Sequence, residues 1–271
     1  MEKINAFGVD FSASKNPANK IWLSECVLQN NSILLNETYS LKEKSAPNTL
    51  KNCSNYLVNL VKNNLNYAFG FDFSFSIPEI FLGNSSWEEF ILQFSERWKS
   101  ADQFKKELFL QAEGKEIKRA TEIEAKVPFS TYNLWIYKQT YFGITEILCT
   151  LLHSKCCTIL PFNSIKKNLP KILETCPASF LKNISTSTDL SKFYKGKNES
   201  HLKRREMILK ILERNFNLKY KSKHIKEKIV CNTNGDALDS LLCAIIVIKS
   251  SKNNFEKDFG SKFKKEGYVY Y

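Results

Sequence analysis

The chain has 271 residues, 43% hydrophobic and 25% charged, a globular balance with enough apolar material for a large core. Forty Lys and Arg against 28 Asp and Glu leave a net charge of +12, which suits a polyanionic partner or simply a basic, solvated surface. The nine Gly include no G-x-G pair, which argues against dinucleotide and P-loop phosphate cradles, and with three His (His153, His201, His224) any chemistry falls to carboxylates.

The length is long for one compact domain and short for two, so the expectation is one domain, 1–271, carrying an insertion. Residues 1–5 lack the apolar run of a signal peptide. The longest apolar stretches, such as 241–248, fall well short of the ~20 residues that span a bilayer. Eight cysteines stand among apolar neighbours with no C-x-x-C spacing, even at the adjacent Cys156 and Cys157. They read as reduced packing residues of a cytoplasmic protein without a membrane or a disulfide-linked partner.

In chain order, residues 4–11 alternate as a strand, and 20–28 and 32–40 are two more, joined by the turn-prone Gln29-Asn30-Asn31. Residues 50–64 carry apolar side chains at helical spacing, and 67–73 read as a short buried strand. The stretch 84–165 reads as a mostly helical insertion after this fourth strand. Residues 171–175 form another strand, stopped by Pro177; 201–218 form a basic amphipathic helix; 236–248 form a helix apolar nearly all round, hence buried. Residues 251–271 read as a basic C-terminal extension.

An internal near-repeat is the most informative feature. Residues 6–12 read Ala-Phe-Gly-Val-Asp-Phe-Ser and 68–74 read Ala-Phe-Gly-Phe-Asp-Phe-Ser. Strand alternation puts Ala6, Gly8 and Asp10 on one face, and Ala68, Gly70 and Asp72 likewise. Small residues followed by an acid predict close packing and a carboxylate at the strand's carboxyl end, where open α/β sheets bind ligands. As parallel neighbours, Asp10 and Asp72 would sit side by side and need a cation between them. The competing reading is that each Asp begins a turn and caps the next segment.

Asp236 and Asp239 share one face of a helical first turn. They read either as a capping-box-like start or as metal ligands, since so apolar a helix carries its first turn toward the core. Glu174, at a strand end, is an acid of less certain role. Together these acids outline a site for two hard divalent cations, Mg²⁺ or Mn²⁺, of the kind that activates water in phosphodiester hydrolysis.

At these residues the chain resembles the domain-of-unknown-function family described as predicted ribonuclease H-like nucleases. The likeness runs through Gly8-Val-Asp-Phe-Ser, Lys20-Ile-Trp-Leu, Phe71-Asp-Phe-Ser-Phe-Ser-Ile-Pro, Tyr137-Lys-Gln-Thr-Tyr-Phe-Gly, Glu174-Thr-Cys-Pro-Ala, Tyr194-Lys-Gly, Asp236-Ala-Leu-Asp and Glu266-Gly-Tyr-Val-Tyr. Ala13 and Cys176 depart from the usual family pattern. The resemblance implies an α/β, ribonuclease H-like fold: a five-stranded mixed sheet flanked by helices, its first three strands a meander. The spacing of Asp236 and Asp239 is also similar to the last motif of Holliday-junction resolvases. By that likeness Asp10, Asp72, Asp236 and Asp239 hold two divalent ions, and Glu174 is a further catalytic candidate.

Residues 203–228 hold ten Lys and Arg against three Glu, and 249–265 hold six Lys against two acids. Such blocks around an acidic helix suit a nucleic-acid backbone, DNA or RNA, bound without sequence reading. Lys195, Arg204, Arg205 and Arg119 are the expected phosphate contacts, with Glu122 a further pocket residue. Tyr220, Tyr268, Tyr270 and Tyr271 are candidate base-stacking residues. The expectation is thus a metal-dependent nuclease. The rival readings are a nucleotide-binding phosphotransferase of the actin-like and sugar-kinase superfamily, or a nucleic-acid-binding module without turnover.

Overall fold

The computed structural model describes residues 3–184, 189–255 and 261–271. In chain order the elements are β1 (Ile4–Asp10), α1 (Pro17–Lys20), β2 (Trp22–Gln29), β3 (Ser32–Ser40), α2 (Leu50–Asn63) and β4 (Tyr67–Phe71). The helical stretch follows with α3 (Trp87–Arg97), α4 (Ala101–Gln111), α5 (Ala120–Glu124), α6 (Tyr137–Phe142), a π-helical turn (Gly143–Leu148) and α7 (Cys149–Ser154). The chain then forms β5 (Thr158–Ile159), β6 (Lys171–Thr175), α8 (Pro177–Asn183), α9 (Glu199–Phe216) and β7 (Leu218–Tyr220). Last come α10 (Lys223–Cys231), α11 (Asp236–Ser251), α12 (Ser261–Glu266) and β8 (Val269–Tyr270).

These strands form one mixed, open sheet in the order β5-β6-β4-β1-β2-β3-β7, with β8 pairing β6. The expected five-stranded sheet is therefore an eight-stranded one. Its additions are three short edge pieces, too brief to show an alternating pattern. β5 and β8 share one edge of β6, the first at Lys171 and Ile172 and the second at Glu174 and Thr175. β7 adds to β3 because Asn217 leaves the helix in the left-handed region (φ 50°), so Leu218, expected in the helix, pairs with Ile33 instead.

The near-repeat pairs in register: Ala6 faces Ala68, Phe7 faces Phe69 and Gly8 faces Gly70 on parallel strands. Asn30 and Asn31 both take positive φ, 51° and 57°, and make the tight turn between β2 and β3. The strand expected from residue 20 starts at Trp22, since Pro17 opens a short helix first. Side chains of the first caps explain other starts: Thr49 accepts the Asn52 N–H (3.3 Å), and Ser86 forms a capping box with Glu89.

The sheet's two faces carry different cores. Phe7, Val9, Phe11, Phe69 and Phe71 pack with α2 and the helical stretch, where Phe90, Phe94, Trp98, Phe104 and Tyr141 form an aromatic cluster. Ala6, Cys26, Ala68 and Leu173 lie on the other face with α8, α9, α10 and α11. All eight cysteines are free thiols. Among the described residues no single helix is long and apolar enough to cross a membrane.

The small residues of the repeat serve α11. A Cβ on Gly8 would lie 2.0 Å from the Ser240 carbonyl and 2.3 Å from the Ala244 nitrogen; one on Gly70 would lie 2.9 Å from the Cys243 carbonyl. Because those obstacles are main chain, neither can swing aside. Gly8→Ala should therefore lose roughly 1–3 kcal/mol of stability or more, read as a lower urea midpoint at unchanged slope.

Candidate functional site

Asp10 ends β1, and Asp72 follows β4, with its N–H donating to the Val9 carbonyl at 3.0 Å. The two carboxylates therefore leave adjacent parallel strands at the same level. α11 crosses over the glycines and brings Asp236 and Asp239 to the same end of the sheet. Its N-cap is Gly235 (φ 83°), so Asp236 is already inside the helix, and neither acid makes the capping-box bond. Asn232 does part of that work, its side-chain oxygen accepting the Ala237 N–H at 3.3 Å.

Asp239 is 2% exposed and uses both oxygens: Tyr194 Oη donates to Oδ1 at 2.8 Å, and Lys195 Nζ lies 2.6 Å from Oδ2. The Lys195 stem is half exposed while its ammonium end reaches inward to the acids. Asp236 Oδ2 is buried without a hydrogen-bond partner, its nearest cation being Lys20 Nζ at 3.7 Å. Burial raises the Asp10 carboxyl well above the ordinary carboxylate range, Asp239 reinforces the shift and Lys195 opposes it. Burial, then Asp239, pushes Asp72 up to about 7. Asp236 is also raised, chiefly by burial, with Lys20 and Lys195 resisting. Asp239 holds the Lys195 ammonium firmly protonated. These acids are short of positive charge.

Glu174 differs. It is 4% exposed and forms a two-pronged pair with the buried Arg119, one contact being Nη1 to Oε2 at 2.9 Å. Its Oε2 also accepts the Phe75 N–H at 2.9 Å. Arg119 in turn donates through Nε to Glu122 Oε1 (3.0 Å) and through Nη1 to the Glu266 carbonyl (3.0 Å). This satisfied cluster joins α5, β6 and the chain's last turn. It corrects two expectations: Arg119 is 0% exposed and cannot meet a phosphate, and Glu174 serves as its anion rather than as a free ligand.

Arg205 is corrected on the same ground. It is 1% exposed, donating to the carbonyls of Val230 (2.7 Å), Tyr194 (2.5 Å) and Gly196 (3.1 Å), so it fastens the loop that carries Lys195. Arg204 is itself half-buried on α9, its Nη1 3.9 Å from the Sδ of the exposed Met207. Lys195, expected at a phosphate, meets Asp239 instead. Tyr268 and Tyr270 are buried ring-to-ring beside β6, at 5.0 Å between centroids, and are not available to bases; Tyr220 and Tyr271 are only partly exposed. The basic extension is in part folded: α12 and β8 dock, and Glu266 accepts the Glu79 N–H (2.7 Å) and the Ala120 N–H (2.6 Å). Residues 256–260 of that extension lie outside the described residues. Part of the basic block is neutralised within the chain, as in Lys203–Glu199 and Lys226–Glu213, both at 2.6 Å.

Asp10, Asp72, Glu174, Lys195 and Asp239 line a cleft of about 440 Å³. Its remaining walls include residues that sequence reading passed over: Phe129, Ile136, Gln139 and Thr140 from the helical stretch, and Phe193. Gln139 Nε2 donates to the Asp72 carbonyl, locking that corner. Gln139 and Thr140 fall in Tyr137-Lys-Gln-Thr-Tyr, and Tyr194 in Tyr194-Lys-Gly, segments whose polar residues were the available signal. Among the described residues no group of three or more His, Cys, Asp or Glu side chains stands ready to hold a metal ion. Comparison of the chain with protein-family models, with curated proteins and with solved structures finds no match.

The raised acids link stability to pH. The folded chain keeps a proton on Asp72 up to about pH 7, whereas the unfolded chain releases it near 3.8. Stability from this group is whole below pH 3.8 and is lost as pH rises through 7. In EDTA, Asp72→Asn should therefore melt higher than the parent chain at pH 8, by on the order of 1–2 kcal/mol, with the advantage vanishing toward pH 4.

Proposed function

We propose that the chain is a metal-dependent phosphodiesterase of ribonuclease H-like type that cuts nucleic acid, with Asp10, Asp72, Asp236 and Asp239 as the ligands of Mg²⁺ or Mn²⁺. One observation carries the reading. Four aspartates stand at the carboxyl ends of two adjacent parallel strands and the first turn of a buried helix, near enough to act on one another's charge though not drawn together as a ready metal group, and among the described residues Lys195 and Lys20 are the cations that oppose them. The sheet order, with an antiparallel β1-β2-β3 meander followed by parallel β4 and β6, suits the same reading. The eight free thiols suit a reducing, cytoplasmic setting.

The residues fit such ions. Carboxylate oxygens are the hard donors that Mg²⁺ and Mn²⁺ prefer, and the buried Asp236 Oδ2 has no hydrogen bond, only the Lys20 ammonium at 3.7 Å. When bound, paired divalent ions lower the pKa of water and stabilise developing charge on phosphate oxygens. The chain's own part is to hold the four carboxylates on rigid elements. Tyr194 orients Asp239 through its hydroxyl, and Gln139 fixes the Asp72 main chain. Lys195 is the cation that an ion at Asp239 Oδ2 would have to displace, and it lines the cleft that a phosphate would enter. The alternative of a phosphotransferase gains nothing from the geometry: Phe11, after Asp10, is 1% exposed with its ring against Phe73 (5.2 Å), where a phosphate-binding loop would need open backbone.

Asp10→Asn and Asp239→Asn are each expected to lower Mn²⁺-dependent cleavage of a labelled oligonucleotide by about a hundredfold or more. Undiminished cleavage by Asp10→Asn sinks the mechanism. Binding without cleavage under any divalent ion, weakening steeply with salt, would leave a non-catalytic module. In the same preparations, Lys195→Met should bind Mn²⁺ on the order of tenfold more tightly by calorimetry, because the competing cation is gone.

A further inference from the structure

The acids sit at the floor of a walled cleft, and this limits what can reach them. Asp239 is 2% exposed, so a phosphate must descend into the roughly 440 Å³ space to approach it. Duplex nucleic acid carries its phosphates on a stiff rod, with each base held in the stack. Groups inside that stack are reached only after the nucleotide has been extruded or was never paired.

Two features of the walls have no structural return. Phe193 is 69% exposed and its backbone lies in the left-handed region (φ 62°), so a bulky apolar ring is held both strained and wet beside the acids. Thr140 Oγ1 is buried, with its residue 1% exposed, and has no hydrogen-bond partner, yet Thr140 lines the same cleft. A buried hydroxyl without a partner is unfavourable unless a ligand supplies one. Phe129, half-buried, is a second aromatic lining residue. Flat apolar surface with a few polar groups above an acidic floor that cations would occupy suits a single nucleotide: a ring to stack on, a hydrogen bond, and cations for its phosphate.

The geometry points to a substrate class: the cleft takes one unstacked nucleotide of a single strand, its base against Phe193 and Phe129 and a polar edge at Thr140. This rests on the metal-site part of the phosphodiesterase reading for the phosphate, whereas the base is received by the walls alone. Phe193 is then the specificity determinant for unpaired over paired nucleic acid.

The test uses a short single strand carrying 2-aminopurine, and the same strand annealed into a duplex, each titrated in Ca²⁺ against the full chain. Binding of the single strand should quench the 2-aminopurine fluorescence. Phe193→Ala should bind it on the order of tenfold more weakly, with Phe129→Ala and Thr140→Val in the same direction. The duplex should bind at least tenfold more weakly than the strand. Because Phe193 is exposed, its loss leaves the fold intact, which a circular dichroism melt verifies. Equal affinity for strand and duplex, or unchanged binding by both Phe variants, overturns the proposal. Mn²⁺ cleavage by the parent chain separates the two readings. A strand bound with Phe-dependent quenching but never cut retains the nucleotide subsite and removes the nuclease. Cleavage that both Phe variants perform as the parent does removes the subsite and retains the nuclease. Neither binding nor cleavage removes both.

Discussion

The approach of α11 to the first and fourth strands governs everything near the cleft. Gly8 and Gly70 stand opposite each other in the sheet; at Gly8 the helix main chain occupies the space a side chain would fill, and at Gly70 the Cys243 carbonyl shares it with the Thr175 and Val247 side chains. The contact is between backbones, so it has no slack. A helix held that close carries its first turn to the strand ends, and with it Asp236 and Asp239. The apolar character of α11, buried at every position from Ala237 to Ile248, supplies the hydrophobic drive that keeps it there.

That arrangement creates an electrostatic problem which the chain solves unevenly. Arg119, Glu122, Glu174 and the Glu266 main chain form a buried cluster in which one guanidinium serves two carboxylates and every member is hydrogen-bonded. Such a cluster ties distant segments together, and removing one partner would leave the rest exposed to low dielectric. A few residues away, Asp10 and Asp72 receive no donor among the described residues, and Lys195 alone lies deep enough to be felt by all four aspartates. The five candidate acids thus divide into Glu174, saturated by Arg119, Asp239, held by Lys195 and Tyr194, and Asp10, Asp72 and Asp236, which are under-neutralised. Under-neutralised buried acids are the signature of a site that expects a cation or a proton.

Much of this was legible in the residues. The near-repeat announced two similar strands, and its small-small-acid face announced close packing with carboxylates at the end; register and glycine contacts agree with both. The Asn30-Asn31 turn, the helix after Thr49 and the largely apolar α11 followed from local chemistry. The errors share a cause. Arg119, Arg205, Tyr268 and Tyr270 belong to residue types common on surfaces, and each is buried because partners far along the chain receive it. β7 and β8 are too short to carry a pattern and exist because an edge of the sheet was open to them.

By itself the sequence determined the longer strands and helices, which of their faces are apolar, and that acids would stand where strands end. Those properties repeat with the period of the backbone, so neighbours along the chain reveal them. Only the tertiary structure decided which acids share a cleft, which cation meets which carboxylate, and which aromatic rings stay in water. Lys195 lies against Asp239, and Arg119 against Glu174, across separations in sequence that no periodicity spans. Long-range ion pairing depends on burial and distance together, and both are set only when the elements pack.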